Sequence, residues 1–86
     1  MCSYVVEKTD VTGSAKAAGA WLSITGAVVS VDHPCHAPLD HALMLDFVTA
    51  GRPVSERVAL ELSVESARQL IACMQSALDA FAVEVA

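Results

Sequence analysis

Positive charge is scarce in this chain. Five basic residues (Lys8, Lys16, Arg52, Arg57, Arg68) stand against ten acidic ones, a net charge of −5. They are dispersed, so the clustered footprint of a nucleic-acid binder is missing and nucleic acid is not an expected partner. Long apolar runs are missing too. Although 55% of the residues are hydrophobic, no run approaches the roughly 20 residues of a membrane helix. No positively charged start leads into an apolar stretch, so no signal peptide is read. These absences predict a soluble cytoplasmic protein with no membrane partner. Cysteine is limited to Cys2, Cys35 and Cys73. An odd number, widely spaced, reads as reduced thiols and not as a disulfide framework.

What is present fits one small domain spanning residues 1–86. A core this small needs an efficient arrangement or a second copy of the chain. Alanine and valine supply much of the apolar content, and polar surface is scarce. A homodimer joined through an apolar sheet or helix face is therefore expected.

The segment from Ser3 to Thr9 reads as a first strand. Thr12 to Ala20 is small and glycine-punctuated, a loop or short marginal helix ahead of Trp21, which is expected as a core or interface anchor. Gly13-Ser14-Ala15-Lys16 lacks the spacing of a phosphate-binding loop and reads as flexible. Ile24 to His33 is β-branched, with Val29, Val31 and His33 on one face and Val28, Ser30 and Asp32 on the other. Pro34 and Pro38 bound a loop. His41 to Thr49 forms the next strand, Ala50 to Pro53 a turn, and Arg57 to Leu62 a strand with Val58, Leu60 and Leu62 inward. Ser63 caps a helix whose apolar stripe is Ala67, Leu70, Ile71, Met74, Ala77, Leu78 and Phe81. Cys73, at the stripe's edge, is expected to be a buried thiol. The fold class predicted is α+β: an antiparallel four-stranded meander covered by one C-terminal helix, ββββα.

All three histidines fall within nine residues, in Asp32-His33-Pro34-Cys35-His36-Ala37-Pro38-Leu39-Asp40-His41. Imidazole is the commonest ligand for transition metals and the side chain that changes charge near neutral pH. His33 and His41 end the two strands that flank the loop, so antiparallel pairing sets them across from each other. His36 can fold back from the loop to join them. Three protein ligands with an open position suit catalytic zinc, and open histidine sites also suit iron or copper. Cys2, Cys35, Asp40 or Asp46 would complete or support the shell. Loss of Met1 would give Cys2 an adjacent amine and thiol, a chelating and nucleophilic pair; its plain alternative is a strand-start residue. The plain alternative for the histidines is a turn, with imidazoles hydrogen-bonded to backbone and Asp32 and Asp40 as turn-forming acids.

The chain resembles a family of short, uncharacterised actinobacterial proteins. The resemblance rests on Met1-Cys2-Ser3-Tyr4, Val11 to Ser14, Trp21, the Asp-His-Pro-x-His-Ala-Pro-x-x-His segment from Asp32 to His41, Asp46-Phe47, and Leu62 to Ala67. Ala15 and Ala17 stand where relatives tend to carry glycine. The resemblance supports the histidine segment as a site and implies no activity.

Two readings follow. The first is a small metal-binding protein, extending to a metalloenzyme of specialised metabolism. It has His33, His36 and His41 as ligands to a divalent Zn, Fe or Cu, Asp46 or Cys2 as candidate catalytic groups, and a small-molecule substrate. The second is a non-catalytic dimeric module for a small molecule or a protein, its histidines shaping a loop. A metal-free acid/base pair of His41 and Asp46 is disfavoured, because parity puts them on opposite strand faces.

Overall fold

The computed structural model describes residues 5 to 85. Strands β1 (Val5–Ala17), β2 (Ala20–Asp32), β3 (Ala42–Val48) and β4 (Val58–Leu62) form one antiparallel meander in sequence order, followed by helix α1 (Val64–Val85). This is the α+β, ββββα arrangement that the alternating apolar pattern predicts.

The first hairpin corrects the sequence reading. Thr12 to Ala20 is neither loop nor helix. β1 runs unbroken to Ala17, and β2 starts at Ala20 and stops at Asp32, one residue short of His33. Two features hide this in the sequence. Between Asp10 and Gly13 the register slips, so that Val11 and Thr12 stand opposite Thr25 alone. Such a bulge adds one residue and reverses the strand's inside–outside alternation. Beyond it, Gly13 and Ala15 pair with Ile24 and Leu22, and small side chains fit beside those larger ones. Packing against the partner strand outweighs the low strand preference of glycine and alanine. The Gly13–Lys16 segment is likewise strand and not a flexible loop.

The turn itself is two residues long. Ala18 and Gly19 both take positive φ, 50° and 79°, the backbone that lets a two-residue hairpin follow the natural strand twist. Trp21, just beyond it, is 68% exposed and belongs to no core. Its place on the hairpin's outer end keeps it away from the helix. Between β3 and β4, Arg52 N–H donates to the Thr49 carbonyl (3.1 Å), and Gly51 supplies the positive φ, 82°, at the turn's third position. A short 3-10 turn, Val54–Glu56, then leads into β4.

The register sorts side chains onto two faces. Val31, Leu43 and Leu62 align across β2, β3 and β4, as do Val29, Leu45 and Leu60, giving an apolar face. Ser30, Met44 and Glu61 align on the opposite, more polar one. At the start of α1, the Ser66 N–H donates to Ser63 Oγ (3.0 Å), the cap expected of that serine. The helix meets the apolar face at its first turns, where Val64, Ala67 and Ile71 lie beside Val31 and Leu43. Ala67 is buried there. Further along, Met74 (57%), Leu78 (62%) and Phe81 (64%) are exposed. Cys73 is an exposed free thiol, not a buried one, because the helix has left the sheet by that point.

Candidate functional site

The loop from His33 to His41 is shaped by one carboxylate from the sheet. Glu61 of β4 shares the polar face with Met44 and Ser30, and its side chain reaches the loop's backbone. Its two oxygens accept from the N–H groups of Cys35 (2.7 Å), His36 (3.1 and 3.2 Å) and Ala37 (2.7 Å). Three consecutive amides around one anion form a charge-assisted nest. The Ala37 amide is the largest influence holding the Glu61 carboxyl below its ordinary value of 4.5. Desolvation pushes the other way, and the Cys35 and His36 amides and the His36 charge add to the lowering. Pro38 then sits within a tight turn closed by the Leu39 N–H on the Ala37 carbonyl (2.8 Å); its ring fixes the φ that a three-residue turn of this kind needs.

His33 and His41 meet as parity predicts. The last pair of the β2–β3 ladder is Asp32 with Ala42, so His33 and His41 occupy the next position of the same register. Their rings stack with centroids 5.2 Å apart and planes at 25°. His33 Nδ1 donates to the backbone carbonyl of Asp40 (2.7 Å). A carbonyl only accepts, so this bond places a proton on Nδ1, and in the neutral ring the lone pair is then on Nε2. Asp32, 3% exposed, accepts from the His33 backbone N–H (2.7 Å). The Asp40 carbonyl thus ties the far end of the loop to His33, while Asp32 holds the adjacent His33 amide.

His36 is positioned through its own N–H on Glu61, in the middle of the loop. Among the described residues no three His, Cys, Asp or Glu side chains lie together in a group that could hold a metal ion. Of the three imidazoles, the structure brings His33 and His41 together. Cys35 is an exposed free thiol on the same loop. Cys2 lies outside the described residues. Asp46 is engaged by a cation: Arg57 Nε donates to its Oδ1 (3.0 Å).

Between the loop and the polar face is a cleft of about 710 Å³. His33, Cys35 and His36 line it from the loop, and Met44, the Asp46–Arg57 pair and Glu61 line it from the sheet. Its volume is within the range of small-molecule sites, roughly 300–1,000 Å³. Such a cleft offers imidazole, guanidinium and carboxylate groups beside an apolar methionine.

Over residues 1–86 the chain matches a family of unknown function, DUF6295. It belongs to that family. No curated protein and no solved structure is matched by the chain. Membership covers the loop, the strand that carries Glu61 and the helix alike. Sequence reasoning passed over Glu61 and Arg57, taking them as members of an alternating strand. The available signal was their parity: Glu61 lies on β4's polar side opposite Met44, and Arg57, just ahead of β4, shares that parity and reaches Asp46.

Proposed function

We propose that this protein is a binding module for a small polar molecule, held in the cleft between the histidine loop and the polar face of the sheet. The observation that carries this reading is the Glu61 nest. A carboxylate spent on three loop amides makes the loop a fixed wall, and preorganised walls lower the ordering cost of binding. The histidines and Arg57 then act as recognition groups. The test is a fragment screen by amide-shift mapping on the whole protein. Binders should perturb Cys35, His36, Ala37, Met44 and Arg57 together, and Glu61→Ala should weaken them. Hits scattered elsewhere on the surface would sink the reading.

A second reading is favoured by the His33–His41 pair. A histidine whose Nδ1–H is held by a backbone carbonyl presents Nε2 as a metal ligand, the usual outer-shell arrangement. A divalent Zn, Fe or Cu bound by His33 and His41, with His36, Cys35 or Cys2 recruited on binding, is the metal form of this site. Tag-free protein should then carry near-stoichiometric metal by elemental analysis, and His33→Ala and His41→Ala should lose it. Acid weakens such a site, because imidazole ligates only when neutral. Metal content unchanged in both variants would exclude it.

A further inference from the structure

The opposite face of the sheet leads elsewhere. From Gln69 to Leu78 the helix carries no charged residue, yet Leu70, Ile71, Met74 and Leu78 along it are exposed. Beneath it the apolar sheet face of Val29, Leu45, Phe47 and Val58 is half-buried and Leu60 beside them is exposed, while α1 adjoins this face at the Val31–Leu43 end. Among the described residues the buried apolar positions are Ala27, Ala42 and Ala67, and no large side chain is fully buried. The chain therefore joins the two halves of its core only in part, at the first turns of α1.

The area agrees. A compact monomer of 9.0 kDa exposes about 4,850 Å². This chain exposes 6509 Å², a surplus of roughly 1,650 Å² over that scaling. Its radius of gyration is 14.6 Å where a compact chain of this length has about 12 Å. Two copies burying their surplus would remove roughly 3,300 Å², within the range of obligate homodimers. One chain bearing two complementary surfaces closes on itself through a twofold axis, each surface meeting the other's counterpart.

We infer that the occupant of this face is a second copy of the chain: the apolar stripe of each α1 lies across the apolar sheet face of its partner, on the side of the sheet away from the histidine cleft. Isotope-filtered spectra of mixed labelled and unlabelled protein test it directly. Contacts from the Met74 methyl to the Phe47 ring should arise between copies. Joint substitution Met74→Asp and Leu78→Asp should weaken association at least about a hundredfold. Should that variant fail to fold, the spectra of the unmodified chain still decide. A monomer at micromolar concentration overturns the proposal, as does a dimer whose contacts between copies run only from helix to helix.

Discussion

Glu61 illustrates how much one side chain can organise. Its carboxylate anchors three amides, and the anchoring depends on charge. Its folded pKa lies below 4.5, so its contribution is complete above the ordinary carboxylate value and fades as pH falls through the lowered one. Amide exchange should reveal this. Cys35, His36 and Ala37 should stay protected through neutral and mildly acidic pH and lose protection together in stronger acid. Glu61→Ala should remove the protection at every pH. Protection that ignores both acid and the substitution would mean that the nest contributes nothing in solution. At this scale the sequence was partly legible. The pairing of His33 with His41 follows from strand parity, which needs only the approximate ends of two strands. The Glu61 nest could not be read in that way. It joins residues 24 to 26 positions apart through backbone N–H groups, and backbone donors leave no trace in side-chain pattern.

At the scale of elements, the β1–β2 hairpin is the least expected feature and the most testable. Ala18 holds a left-handed backbone with φ of 50°, a region costing an L-residue with a Cβ about 1 kcal/mol. Asparagine tolerates that region far better. Ala18→Asn should therefore stabilise the protein by about 0.5–1 kcal/mol, and Gly51→Ala should destabilise it by about 1 kcal/mol, because a Cβ there meets no neighbour that could compensate. Denaturant titration of the two variants measures both signs. An Ala18→Asn variant less stable than its parent would show that the turn is differently built. The later strands were legible because their alternation is uninterrupted: Leu43, Leu45 and Phe47, then Val58, Leu60 and Leu62. The first hairpin was not, since the bulge at Val11 and Thr12 breaks the alternation where small residues already blur it. The helix start was readable from Ser63. How far the helix follows the sheet was not, because a stripe of Leu70, Ile71, Met74, Leu78 and Phe81 looks the same whether it covers its own sheet or another's.

The whole molecule combines two faces with different tasks. The polar face carries the cleft, bounded by the histidine loop and the Asp46–Arg57 pair, while the apolar face and the uncharged span of α1 lie on the other side of the sheet, where we propose that a second copy sits. No helix among the described residues is long and apolar enough to cross a membrane, so the exposed apolar stripe is not a membrane span. With only three alanines buried among the described apolar residues, folding and association should be one process. The measurement that tests this most directly is thermal unfolding followed across a hundredfold range of protein concentration, with the mass determined by sedimentation. Coupled folding and association predicts a midpoint that rises with concentration and a mass near twice 9.0 kDa. A midpoint independent of concentration, at the mass of one chain, would contradict it.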